Sequence, residues 1–220
     1  MDVSLTPSVQ KRGIMERAYM KVVIIRYNAG NIESVRNALL RLGVAAEITA
    51  DHDKIRTADK VIFPGVGEAS STMAYLKKEG LDRLIPALKQ PVLGICLGLQ
   101  LMCSHSEEGD TPCLGIFEER VRRFVPSSAR RFADKVPHMG WNSVYNLKSG
   151  IFTPDLEQQY VYFVHSYYAD LGEHTAARCE YIVPFSAALQ KDNFYATQFH
   201  PEKSGRVGNK ILENFLKTGR

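Results

Sequence analysis

The stretch Pro91-Val92-Leu93-Gly94-Ile95-Cys96-Leu97-Gly98-Leu99-Gln100 restricts the folding of this chain more than any other. An apolar run ends in a cysteine framed by two glycines, and a helix-like pattern follows. A strand that turns sharply into a helix displays the residue at the turn in a strained backbone conformation. The glycines remove side chains that would block the turn and an approaching substrate. This is the nucleophile-elbow pattern, with cysteine in the serine position. It calls for a sheet with helices packed against it, since a buried apolar strand of this kind needs cover on both faces.

The flanking sequence agrees with that demand. Val22-Val23-Ile24-Ile25 is a short apolar run, and Ile32, Val35, Leu39 and Leu42 recur at helical spacing before Gly43. Val44 to Thr49 reads as a second strand. Val61-Ile62-Phe63 reads as a third, closed by Pro64-Gly65-Val66-Gly67, and two helical segments fill Ala69 to Leu88 with a break at Gly80-Leu81. The order strand–helix–strand predicts an α/β fold: an open, mostly parallel twisted sheet with helices on both faces. The second half changes character. Val121 to Val125, Trp141 to Tyr145, Tyr160 to Tyr168, Ala176 to Val183 and Phe194 to Phe199 read as closely spaced strands of an antiparallel extension, followed by a helix over Val207 to Leu216. Met1 to Met20 shows no period and reads as a poorly ordered N-terminal extension, leaving residues 21–220 as one domain.

Composition narrows the function classes. With 220 residues, 45% hydrophobic and 24% charged, the chain has the make-up of an ordinary globular protein. No run is long and apolar enough for a membrane span, and the start lacks the apolar core of a signal peptide, so the expected location is cytoplasmic. Cys96, Cys103, Cys113 and Cys179 form no Cys-x-x-Cys pair, which leaves zinc and redox motifs unsupported. The net charge of +4 is mild. Arg120, Arg122, Arg123, Arg130 and Arg131 form a basic cluster that reads either as a solvated edge or as a docking surface, and no nucleic-acid recognition motif accompanies it.

A second constellation lies near the C-terminus, at Gln198-Phe199-His200-Pro201-Glu202. His200 and Glu202, two positions apart in an extended segment, point to one face, and Pro201 restricts the backbone between them. In a Cys-His-Glu arrangement Cys96 is the nucleophile, His200 the base and then the acid, and Glu202 the group that orients the imidazole. Such chemistry needs donors for a developing oxyanion. The backbone N–H of Leu97 is the first candidate, and the Gly65-Val66-Gly67 loop is the second. Gln100, one helical turn beyond Cys96, is placed to contact a polar substrate. For each residue a structural reading stays open: a buried core cysteine, a strand-end histidine, a plain turn, a helix-surface glutamine. His165, a lone histidine in a strand-like run, reads as structural.

Gly94-Ile95-Cys96-Leu97-Gly98 together with Phe199-His200-Pro201-Glu202 resembles the class I glutamine amidotransferases. Further segments carry the likeness: Tyr27-Asn28-Ala29-Gly30-Asn31, Pro64-Gly65-Val66-Gly67, Pro137-His138-Met139-Gly140-Trp141-Asn142, Tyr162-Phe163-Val164-His165-Ser166-Tyr167-Tyr168 and His200-Pro201-Glu202-Lys203-Ser204. They point to the branch of glutaminase subunits that serves histidine biosynthesis. The resemblance covers Lys21 to the C-terminus. It implies that Cys96 attacks the side-chain amide of L-glutamine and forms a γ-glutamyl thioester. It also implies that ammonia passes to a separate (β/α)8-barrel cyclase/synthase subunit in a heterodimer. There it is used to make imidazole glycerol phosphate and an aminoimidazole carboxamide ribonucleotide. No metal or organic cofactor is implied, and no nucleic-acid or membrane partner. Asn28, His138 and Trp141 are implied near the shared face. Two other readings stand beside this one: a class I glutaminase serving a different acceptor, and a non-catalytic interaction subunit that keeps the fold.

Overall fold

A computed structural model describes residues 20–27, 32–126 and 135–219. The expected N-terminal extension lies outside the described residues apart from Met20, and so do Asn28, Arg130 and Arg131.

The parallel half of the sheet is laid down by β1 (Val22–Ile25), β2 (Ala46–Thr49), β3 (Lys60–Gly65) and β4 (Val92–Cys96). The helices among and after them are α1 (Ile32–Arg41), α2 (His52–Arg56), α3 (Ala69–Lys78), α4 (Leu81–Leu84) and α5 (Leu97–Met102). β1, β3 and β4 are buried along their whole length because both faces are covered, whereas β2, at the sheet edge, is buried only at Thr49. In β1, Val22 and Ile24 join one core with Leu39 of α1, whereas Val23 and Ile25 join the other with Ile55 of α2 and Leu76 of α3. The period of two along a strand thus feeds two cores from one apolar run. Polar caps fix the intervening helices. Asp51 Oδ1 accepts from the backbone N–H groups of Asp53 and Lys54 at the start of α2, and the Glu68 carboxylate does the same for Ser70 and Ser71 at the start of α3.

The second half consists of β5 (His105–Ser106), β6 (Thr111–Pro112), β7 (Arg120–Arg123), β8 (His138–Ser143), β9 (Tyr160–His165), β10 (Tyr167–Ala169), β11 (Thr175–Glu180), β12 (Pro184–Lys191) and β13 (Phe194–Thr197), closed by α6 (Gly205–Lys217). Eleven strands join one sheet in the order β2-β1-β3-β4-β13-β12-β10-β7-β5-β6, with β11 also on β12. From β2 to β13 neighbouring strands run parallel, and β13, β12, β10 and β7 alternate in direction. The expected open parallel sheet with an antiparallel extension is the observed fold.

Three local expectations are corrected. Tyr160–Tyr168 is not one strand: it breaks at Ser166, so that β9 pairs with β8 in a separate two-stranded ribbon while β10 joins the main sheet. Pro184–Lys191 carries no strand signal in the sequence, yet β12 is central to the extension. Its Phe-Ser-Ala-Ala-Leu run is buried on both faces, which removes the alternation that marks a half-exposed strand, and Ala and Ser favour strands weakly. The strand expected to reach Val183 ends at Glu180.

Candidate active site

The C-terminal ends of β3, β4 and β13 lie side by side, the usual place for a ligand in an open α/β sheet. At the end of β4, Cys96 has φ 54° and ψ −105°. A positive φ is uncommon for a residue with a side chain and persists only where the surroundings impose it. Here the imposition is visible. Helix α5 starts at the next residue and passes so close to β3 that a Cβ on Gly98 would fall 2.0 Å from the Phe63 carbonyl oxygen. A Cβ on Gly65 would fall 2.5 Å from the Tyr27 hydroxyl and 2.8 Å from Leu97 Cβ. Only glycine fits at either place, so the elbow and the glycine loop are packed against each other through missing side chains. The Tyr27 hydroxyl donates to the Pro64 carbonyl at 2.5 Å, tying the end of β1 to that loop.

Strand β13 brings the second half of the site. Its parallel register on β4 pairs Thr197 with Ile95, which carries Gln198 alongside Cys96 and His200 just past the strand ends. The backbone N–H of His200 donates to the Tyr162 carbonyl of β9 at 2.9 Å, and the Ser204 hydroxyl donates to the His200 carbonyl at 2.7 Å. Glu202 Oε1 accepts from His200 Nδ1 at 2.8 Å, with both side chains almost wholly buried. Nδ1 is thereby a protonated nitrogen, and Nε2 is left for chemistry. Burial disfavours charge on this ring, but hydrogen bonding and charge from Cys96 and Glu202 outweigh it, so His200 holds its proton well above the ordinary histidine range.

These groups share a cavity of about 350 Å³, lined among others by Val66, Gly67, Cys96, Gln100, His165 and His200. Gly67 has φ +126°, a conformation open chiefly to glycine, and Leu97 also borders the cavity. The structure therefore brings together Cys96, Leu97, Gln100, Val66, Gly67, His200 and, behind the histidine, Glu202. Gly65 is paired with Cys96 across β3 and β4. A larger groove of about 760 Å³, with Arg56, Lys77, Lys78, Arg83 and Lys89 in its walls, contains neither cysteine nor histidine. Among the described residues, one group close enough to ligate a metal, Glu118, Glu119 and His174, is not part of the cavity, and Glu118 already pairs with Lys191 and His174.

The other three cysteines are held as thiols. Burial pushes Cys103 well up, Cys113 to about 11 and Cys179 to about 12.

The ribbon of β8 and β9 forms the far wall. Residues 138 and 141 are an odd number apart on one strand, so they cannot share a face. His138 is buried, stacked on Tyr181 and Phe163, whereas Trp141 is 56% exposed beside Met139 at 63%. Of the two residues expected near the face shared with a partner, Trp141 is exposed and His138 is an interior group. It lies against His165, which borders the cavity. His165 Nδ1 donates to the Tyr167 carbonyl at 2.7 Å, so its Nε2 accepts, and His138 Nδ1 donates to it at 3.1 Å. Burial keeps both rings neutral, lowering His165 to about 3 and His138 to about 4. Burial alternates along Tyr160–His165 and puts His165 on the inward face, a placement the residue types do not announce because Val164 on the other face is apolar as well.

Residues 23–218 match the family of class-I glutamine amidotransferases. The chain is 62% identical over 198 residues to the imidazole glycerol phosphate synthase subunit HisH of Bacteroides fragilis strain YCH46, covering 90% of this chain and 100% of that protein. It is 44% identical over 200 residues to the protein of the same name from Escherichia coli K12, covering 90% and 100%. Solved structures share the fold at low identity. The crystal structure of a glutamine amidotransferase superposes with a TM-score of 0.67 at 19% identity, covering 88% of this chain and 96% of the other. PurLQS from Thermotoga maritima superposes at 0.62 and 16% identity, covering 90% and 97%.

Proposed function

The chain belongs to the class-I glutamine amidotransferase family, among the HisH subunits of imidazole glycerol phosphate synthase, and from this premise we propose how its cavity hydrolyses L-glutamine. The observation that carries the proposal is the His200–Glu202 pair at the cavity that Cys96 enters at a positive φ.

His200 Nε2 acts as the base and takes the thiol proton of Cys96 as the sulfur attacks. The sulfur adds to the side-chain amide carbon of glutamine and forms a C–S bond. The carbonyl electron pair moves onto oxygen, where the Leu97 N–H and an amide of the Gly65-Val66-Gly67 loop receive it. Each such donor is worth about 10²–10³-fold in rate. His200 Nε2 then gives its proton to the departing nitrogen, the C–N bond breaks, and ammonia leaves behind a γ-glutamyl thioester. Water attacks the thioester carbon while His200 takes one of its protons. Collapse expels the Cys96 thiolate and releases glutamate. Glu202 holds the ring throughout, with Nε2 turned to the sulfur. Gln100 lines the cavity as a contact for the polar end of the substrate.

The relatives are named as subunits, and a subunit has a partner. We infer that this partner is a (β/α)8-barrel cyclase/synthase that uses the ammonia to make imidazole glycerol phosphate and an aminoimidazole carboxamide ribonucleotide in histidine biosynthesis. Trp141, with Met139 and Tyr160, gives the β8–β9 ribbon exposed apolar side chains suited to docking. The cytoplasm is the compartment in which such a protein works. Among the described residues no helix is long and apolar enough to cross a membrane.

The test is a glutaminase assay of the chain alone and with the barrel partner and its ligand. Slow turnover alone and strong acceleration in the complex support the reading. Full activity that ignores the partner favours a glutaminase serving another acceptor, and no activity in either state favours a non-catalytic role.

A further inference from the structure

Gln198 is wholly buried beside the elbow and has no role in the chemistry described so far. Its surroundings fix which end of its amide meets the sulfur. The anchor is the Tyr167 carbonyl, which can only accept. Gln100 therefore turns its amide nitrogen toward that oxygen, at 2.9 Å. The same nitrogen lies 3.1 Å from the Gln198 side chain, so the atom of Gln198 that faces it is Oε1, the acceptor. The remaining end of Gln198 is Nε2, and it lies 3.8 Å from Cys96 Sγ. His165 Nδ1 donates to the same Tyr167 carbonyl, which holds the anchor in place. The backbone of Gln198 is pinned as well, its N–H donating to the Ala187 carbonyl of β12 at 2.8 Å.

We propose that Gln198 is a positioning residue for the nucleophile, held through Gln100 and the Tyr167 carbonyl so that it offers Cys96 an N–H donor and never its oxygen. The proposal rests on Cys96 being the nucleophile. An amide free to rotate would spend part of its time presenting Oε1 to the sulfur, which repels a thiolate. A locked amide removes that state. The N–H supports the sulfur from inside the protein when it carries negative charge. Hydrogen bonds to a charged acceptor are about twice as strong as neutral ones, although 3.8 Å places this one at the long end for sulfur. Gln100 thereby acquires a second duty. Both of its amide protons are committed, to Tyr167 and to Gln198, so its own Oε1 is the atom left for the cavity.

The test uses the full chain with Gln198→Met, which keeps the length and removes both polar ends, and Gln198→Glu, which still accepts from Gln100 but turns an oxygen to the sulfur. Iodoacetamide labelling of Cys96 is followed by mass spectrometry across the neutral pH range, alongside thermal unfolding. Labelling at neutral pH is expected to slow about threefold in Gln198→Met and about thirtyfold in Gln198→Glu, with the pH midpoint of labelling moving upward in the same order, as loss of a donor and gain of a repelling oxygen require. A side chain that only fills space would lower thermal stability and leave the midpoint where it is. Midpoints that stay at the wild-type value in the folded variants overturn the proposal, and should Gln198→Glu fail to fold, Gln198→Met decides alone. Wild-type protein whose glutaminase activity survives complete labelling of Cys96 sinks the nucleophile assignment itself, a result separable from unmoved midpoints in a wild type that labelling inactivates.

Discussion

The cavity is bordered by two buried histidines, His200 and His165, each backed by a second side chain, and the two sides treat the imidazole in opposite ways. On the sheet side His200 touches Glu202 and stands near Cys96, and it is driven to hold a proton. On the ribbon side His165 touches a backbone carbonyl and His138, and it is driven to stay neutral. Burial pushes both rings toward the neutral form. The difference lies in the partners: a carboxylate and a thiol that can be anionic, against a carbonyl dipole and another neutral ring. Burial makes partners decisive, because the low-dielectric interior strengthens whichever interaction is present. One wall therefore stores a mobile proton, and the other is a rigid strut of fixed tautomers.

The contrast breaks most severely at Cys96. Cys96→Ala removes the sulfur proposed to attack, and glutamine-dependent turnover is expected to fall to background while the complex with its partner subunit still makes product from added ammonium. Retention of a substantial fraction of glutamine-dependent turnover would mean that the sulfur is not the attacking group. His200→Ala should be nearly as damaging, since nucleophile and base act as a unit.

Glu202→Gln tests what makes the sheet side different. An amide oxygen still positions Nδ1–H but no longer stabilises the imidazolium, so a milder loss of about 10²-fold is expected from an electrostatic contribution of this kind. The activity profile should also lose its basic plateau at lower pH than in the wild type, as the ring is no longer held protonated. A variant as inactive as His200→Ala would show that Glu202 does more than orient and stabilise.

On the ribbon side the outward face is read by Trp141→Ala. Truncating an exposed aromatic anchor should weaken partner binding by roughly 30-fold, the effect of a typical hot spot, and leave the isolated chain's stability unchanged. Titration calorimetry or a glutaminase titration against the partner measures it. Unaltered affinity would place the interface elsewhere.

The smallest effect concerns the inward face. His138 and His165 have lowered pKa values in the folded chain, about 4 and about 3. Between roughly pH 6.5 and pH 4 the unfolded chain binds protons that the folded chain does not, so stability falls on acidification. His200, with a raised folded value, behaves in the opposite sense and is at its most stabilising below the unfolded histidine pKa. The ribbon pair should dominate below neutrality, and thermal midpoints are expected to drop by several degrees, roughly 5 °C, between about pH 7 and about pH 5. His138→Asn should flatten that slope. An unchanged slope would show that the strut is not the source of acid sensitivity.

The parts legible in sequence are those fixed by neighbours along the chain. Val22–Ile25, Val61–Phe63 and Val92–Ile95 announce themselves as buried parallel strands because each is apolar throughout and bounded by turn residues. Gly94 and Gly98 frame Cys96 because a Cβ on Gly98 would strike the Phe63 carbonyl of β3 and one on Gly94 would crowd Met102 and Gly98 of α5, a demand visible as glycine spacing. His200 and Glu202 pair across two positions, a distance the local backbone sets. By the same rule, the odd separation of His138 from Trp141 places them on opposite faces.

Tertiary structure decided what depends on strand order. Nothing local says that β13 docks beside β4, yet that single pairing carries His200 and Gln198 to Cys96 from 104 and 102 positions away. Strand β12 is invisible in pattern because burial on both faces erases alternation, and Ser166 divides one apparent strand between two sheets because the chain must leave the ribbon to reach β7 and β12. The charge of each histidine belongs to the same category. An imidazole has the same intrinsic proton affinity at 138, 165 and 200, and only the groups that the fold packs around it determine whether it serves as an acid, a base or a strut.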